Sequence, residues 1–177
     1  MKLNNLIFTA LAGFSIIIAG CQNNDENELN NDNKLFISAS NFTKEILFKA
    51  GDTNVETGLS VAIAKPEEHD IKVTMSPAPE LLSTYKLAYY DETAVLLSEE
   101  HYSMPETSTT IKSGSIVSPE LPIEFINTGE LDIKTTYVLP VTIKSVEGIG
   151  VLQSAKTYYY VFRGASLINV VCYISRN

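Results

Sequence analysis

From Lys34 onward, apolar and polar residues alternate in short runs, the period-two signature of strands that bury one face. Leu59, Val61 and Ile63 share a side, as do Ile71, Val73 and Met75 beyond the turn Pro66-Glu67-Glu68-His69-Asp70, so the two runs are expected to form a hairpin. Leu121, Ile123 and Phe125 alternate next, then Tyr137, Leu139, Val141 and Ile143. The run 157–162 carries bulk on both faces, with Tyr158, Tyr160 and Phe162 on one and Thr157, Tyr159 and Val161 on the other, which predicts a central strand. Between the early and late strands, Pro79-Glu80-Leu81-Leu82-Ser83-Thr84-Tyr85 places proline and acid in a first turn and predicts one or two helical turns. Glu99 after Ser98 reads as the start of another short helical turn. Six to eight short strands with regular turn signals predict a mainly β fold, two packed antiparallel sheets with one short helical insertion. There is no internal repeat.

One local pattern sharpens this expectation. Leu131, Thr135 and Tyr137 stand just before an alternating run, in a spacing that resembles the tyrosine corner of immunoglobulin and fibronectin type III domains. The resemblance implies an immunoglobulin-like antiparallel β-sandwich in which Tyr137 is structural, its hydroxyl bonded to backbone near residues 131–134. Pro140 lacks a ladder donor and predicts an edge strand or a bulge.

The chain has 177 residues, enough for a signal segment and one domain. Lys2 precedes an apolar run from Leu6 to Ala19 that ends in Ala19-Gly20-Cys21, which reads as a secretory signal with a lipoprotein cleavage site. About 14 residues at 1.5 Å rise give roughly 21 Å, too short to span a hydrocarbon core of roughly 30 Å. The expected layout is a signal peptide at 1–20, a lipidated Cys21 with an Asn/acid-rich, disordered tether at 21–33, the sandwich at 34–166, and a C-terminal strand or truncated linker at 167–177. Lipid at Cys21 ties the protein to a membrane it does not cross. Asp25, Glu26 and Glu28 resemble the export signal of outer-membrane lipoproteins in glycan-degrading gut-type bacteria, which implies an exterior face; a periplasmic acidic spacer is the alternative. Cys172, the second of two cysteines, has no partner for an intramolecular disulfide once Cys21 carries lipid, and it sits in an apolar run that predicts burial.

Thirteen Lys and Arg against 21 Asp and Glu give a net charge of −8, which excludes nucleic-acid phosphate as a partner. His69 and His101 lie far apart without a second His or Cys at ligand spacing, so no metal is expected. Glu67-Glu68-His69-Asp70 reads as a solvated turn, and the adjacent Glu99 and Glu100 diverge too far for an acid–base pair. No nucleophile elbow or phosphate loop is present, and no catalytic residue or cofactor is expected. The binding signal is aromatic. Because a central strand gives its rings to the core, Tyr89, Tyr90 and Tyr102, in a less regular region, are the candidate ligand-binding residues, able to stack on sugar rings.

Tyr89-Tyr90, the segment from Leu96 to Tyr102, Thr110-Ile111-Lys112-Ser113-Gly114-Ser115, Leu131, Tyr137-Val138-Leu139-Pro140-Val141 and the segment from Lys156 to Val161 fall in an order that resembles a domain of unknown function. That domain is found at the N-terminus of endo-β-N-acetylglucosaminidase-like outer-membrane lipoproteins. The resemblance implies an immunoglobulin-like accessory domain of a polysaccharide-utilisation system, placed between a lipid anchor and a glycosidase or lectin-like domain. Since the sequence stops at Asn177, the activity of longer relatives is not expected here. The expected function is therefore non-catalytic, a spacer or docking module in glycan acquisition. Its alternatives are a glycan-binding module using exposed tyrosines and a truncated remnant of a longer glycosidase-like or lectin-like protein. A glycan, or other surface glycan-acquisition proteins, are the partners this layout admits.

Overall fold

The computed structural model describes residues 33–52 and 54–165, so the signal, Cys21, nearly all of the tether, Cys172 and the segment 167–177 lie outside the described residues. In chain order the elements are β1 (Lys34–Ile37), β2 (Thr43–Phe48), β3 (Val55–Leu59), β4 (Val61–Ala62), β5 (Ile71–Pro77), α1 (Leu82–Tyr89), β6 (Val95–Leu96) and β7 (Tyr102–Ser103). They continue with β8 (Ser108–Ile111), β9 (Leu121–Phe125), β10 (Tyr137–Val146), β11 (Gly150–Val151) and β12 (Thr157–Gly164). The large sheet has the order β2-β12-β10-β5-β8, with β6 beside the start of β10. Two smaller sheets, β3-β9-β7 and β11-β1-β4, complete the sandwich.

Alternation explains how these sheets close on one another. Leu35 and Ile37 of β1, Leu121, Ile123 and Phe125 of β9, and Ile71, Val73 and Met75 of β5 are all buried and belong to one apolar cluster. So do Tyr158, Tyr160 and Phe162 on the inner face of β12. Phe125 joins the two layers directly: its ring meets Tyr160 at 5.1 Å and Phe162 at 4.6 Å between centroids, both edge to face. Each such fully buried ring removes enough apolar surface from water to contribute about 2 to 3 kcal/mol. The pairings β12-β10-β5 and β3-β9 reproduce the G-F-C and B-E arrangement of an immunoglobulin-like sandwich. The expected helix is present as a 3-10 turn at Pro79–Leu81 running into α1, and the expected turn at Glu99–His101 is also 3-10.

Four details differ from the sequence reading. The expected hairpin does not form: β4 pairs with β1 in a small sheet, while β5 pairs with β10 and β8 in the large one. Periodicity reports which side of a run is buried but not what lies beside it, and the turn between them crosses from one layer to the other. That crossing is held by Asp70, which accepts from Lys112 Nζ at 2.8 Å and from the Ser113 amide at 2.9 Å. Pro140 lies on a central strand, not an edge, with Tyr159 opposite it on β12. On its other side β6 gives way to β5, and the Pro140 carbonyl there accepts from Ala78 N at 2.9 Å, so the missing donor falls in a gap between two partners. The described residues hold twelve strands, because partners change along extended runs: the backbone from Val55 to Ala62 pairs first with β9 and then with β1. Lastly, three pairs are parallel, β2 with β12, β1 with β11 and β6 with β10.

Candidate functional site

The outer face of the large sheet is covered by α1. Proline at the first turn sets its entry, and its exit is closed by Tyr90 in the left-handed region at φ 54°, whose amide donates to the Lys86 carbonyl. A helix places residues four apart on one face, and Tyr85 and Tyr89 stack at 4.9 Å with 29° between their planes. Both meet Tyr159, which points outward from β12, at 5.4 Å and 6.0 Å. Beneath them, Tyr85 and Tyr159 join Ala94, Val138 and Val161 in a second apolar cluster. Burial raises the pKa of the Tyr85 hydroxyl, opposed by a hydrogen bond from Arg163.

Tyr89 is 41% exposed and its ring stands between two hollows. One, of about 170 Å³, is lined by Thr43, Glu45, Tyr85, Val161 and Arg163. The other, of about 290 Å³, takes Phe42, Leu81, Thr84, Gln153, Lys156 and Tyr159 among its walls. Arg163 ties the first together: Nη2 lies 3.4 Å from Asp91 Oδ2 beyond the helix end, and Nε 3.6 Å from Glu45 Oε1 on β2. The half-exposed Phe42 ring borders the second. Aromatic faces beside fixed hydrogen-bonding groups can hold an amphipathic ligand by stacking and by its polar edge.

The structure does not bring Tyr89, Tyr90 and Tyr102 into one patch. Tyr90 is 92% exposed and lines neither hollow beside Tyr89. Tyr102 lies on β7, packs against the main core and lines a separate hollow of about 290 Å³ with Pro77, Pro79 and Leu97. Burial raises its hydroxyl pKa. The companions of Tyr89 are instead Tyr85, Tyr159 and Phe42. The expected helical turns stop at Tyr85, whereas α1 runs on to Tyr89, so the spacing of four between the two rings is a local signal only once the helix is extended; Phe42 and Arg163 are distant in sequence and have none. At the corner, the Asp132 amide donates to the Tyr137 hydroxyl at 3.2 Å, the Thr135 hydroxyl donates to Asp132 Oδ2 at 3.2 Å, and Leu131 is buried in the main core.

A further hollow, of about 630 Å³, lies on the outer face of β3 and β9 and is walled by Glu56, Glu120 and Glu124 with Pro105 and Pro122. Among the described residues, no three His, Cys, Asp or Glu side chains gather so as to hold a metal ion. His101 is buried, with Nδ1 3.2 Å from the Ile126 carbonyl, a contact that secures β7 to the segment after β9.

Three Bacteroides proteins of solved structure share this fold. A candidate carbohydrate-binding protein from Bacteroides ovatus is 18% identical with a TM-score of 0.65, over 73% of this chain and 36% of its own. A two-domain protein of unknown function from Bacteroides fragilis is 13% identical with a TM-score of 0.57, over 80% of this chain and 49% of its own. EndoBT-3987 from Bacteroides thetaiotamicron, solved with a Man5GlcNAc product, is 19% identical with a TM-score of 0.61, over 73% of this chain and 30% of its own. The chain thus spans between a third and a half of the length of the first two and less than a third of the last. No curated protein matches it in sequence. A family model described as a "-like, N-terminal domain" matches residues 29–150, more than half of the chain, and the chain belongs to that family of N-terminal domains.

Proposed function

We propose that the chain is a non-catalytic accessory domain of a glycan-acquisition system, held to the outer membrane by lipid at Cys21 and serving as a spacer or docking module on the exterior. The observation that carries this is its membership of an N-terminal-domain family whose fold occupies 30% of EndoBT-3987, a protein solved with a glycan product. In that protein the sandwich is one part of a longer chain. The candidate carbohydrate-binding neighbour supports the same setting.

Local chemistry is in keeping with it. The carboxylates around Arg163 are engaged in ion pairs, Asp70 is bound by Lys112 and Ser113, and Glu67 accepts from Asn33 Nδ2 at 2.7 Å. Each of these carboxylates is engaged by a neighbouring group of the chain. The test is made in cells: palmitate labelling of the full chain, and of Cys21→Ala, followed by protease added to intact cells. Labelling lost in Cys21→Ala and cleavage in intact cells are expected; a labelled mutant or a protected wild-type chain overturns the anchored, exterior reading. Turnover of high-mannose N-glycans by the purified chain would overturn the non-catalytic one.

A further inference from the structure

We infer that the cleft between α1 and the outer face of β2 and β12 binds a neutral oligosaccharide, laid across the Tyr89 ring with sugar units on either side. The choice of ligand class rests on the glycan-acquisition reading above; the site rests on its geometry. Tyr89 is held upright from below by Tyr85 and from the side by Tyr159, so one half-exposed ring is presented in a fixed orientation. A pyranose has a C–H face that stacks on such a ring and equatorial hydroxyls that project from its edge, so it needs hydrogen-bonding groups beside the ring rather than beneath it. They are there on both sides, Thr43, Glu45 and Arg163 in one hollow and Gln153, Lys156 and Thr157 in the other. Since Tyr89 is common to both hollows, a linear chain is accommodated better than a single sugar.

Charge selects within that class. Two carboxylates, Glu45 and Asp91, flank the single guanidinium of Arg163, so the cation of the first hollow is already neutralised and offers no net attraction to a uronate or sialate. The same ion pairs pre-set the polar rim, so little side-chain ordering accompanies binding. An open cleft with one central ring has few contacts to offset the ordering of a flexible sugar, and dissociation constants on the order of 0.1 to 1 mM are expected.

The experiment is affinity electrophoresis of the detergent-solubilised full chain through gels containing yeast mannan, galactomannan or polygalacturonate. Retardation by a neutral polysaccharide, none by polygalacturonate, and a tenfold or greater weakening in Tyr89→Ala are expected. Glu45→Gln, on an exposed strand position where folding is not at stake, should weaken retardation too, while Tyr102→Ala, in the separate hollow, should retain it. Free migration of the wild-type chain through all three gels, or retention unchanged in both Tyr89→Ala and Glu45→Gln, overturns the inference. Lipid labelling and protease cleavage involve no glycan, so a surface-held chain that binds none of the three would leave the accessory reading standing.

Discussion

At the start of β10, Tyr137 does with one hydroxyl what an apolar ring could not. The oxygen accepts from the Asp132 amide, and the Thr135 hydroxyl and the Lys134 amide bond the Asp132 carboxylate, so the turn before the strand is closed by three side chains from six residues. The bond is exposed enough for water to take its place, so Tyr137→Phe should cost about 1 kcal/mol, read as a lower urea midpoint at constant slope. An unchanged midpoint would mean that the hydroxyl does not hold the corner. Leu131, Thr135 and Tyr137 were legible because a corner is local and its spacing is written along the chain. The aromatic cleft was legible only in part. Tyr89 stood out, but alternation says nothing of a helix ring stacking on its own i−4 neighbour, or of Arg163 reaching back to Glu45 and Asp91.

Among the elements, β12 does most to define the molecule. Its inner rings enter the main core, its outer Tyr159 and Val161 floor the cleft under α1, and Arg163 near its end forms the cleft's polar rim. The end of the strand is also where the corner loop comes close: a Cβ at position 164 would fall against the Ile133 carbonyl oxygen and 2.5 Å from its Cα. Both are backbone atoms, unable to turn aside, so Gly164→Ala should force strand and loop apart and destabilise by about 1 to 3 kcal/mol, measured by thermal unfolding. Gly150→Ala, with nothing within 4 Å, is the control and should be near neutral. A melting temperature lowered equally by both substitutions would contradict the close approach. The doubly apolar pattern of 157–162 foretold a central strand, because a segment covered on both sides needs bulk on both sides. The failed hairpin between β4 and β5 shows the converse: their pattern was read correctly as strand, yet both faces of a sandwich impose the same period, and only the crossing at Asp70 decides which sheet each joins.

At the scale of the whole molecule, Tyr85, Tyr102, Tyr158, Tyr159 and Tyr160, among the described residues, have hydroxyl pKa values raised above the usual tyrosine value, burial being the leading cause for each. The folded state therefore holds their protons to higher pH than the unfolded chain, whose tyrosines titrate near 10. Stability is fully present below about pH 10 and falls as pH rises through and beyond it. Urea unfolding between pH 8 and 11 should show that decline, with the charge of −8 growing as the rings ionise; a flat profile would contradict the burial assigned to them. What the molecule is for comes down to whether the face under α1 receives a sugar chain. The most direct measurement is an NMR titration of the chain with mannohexaose up to about 10 mM, roughly tenfold above the weakest affinity expected. Perturbations confined to Phe42, Thr43, Tyr85, Tyr89, Gln153 and Arg163, with Tyr102, Glu56 and Glu124 unmoved, are the predicted result. Perturbations centred on the β3–β9 hollow or around Tyr102, or none at all, would contradict it.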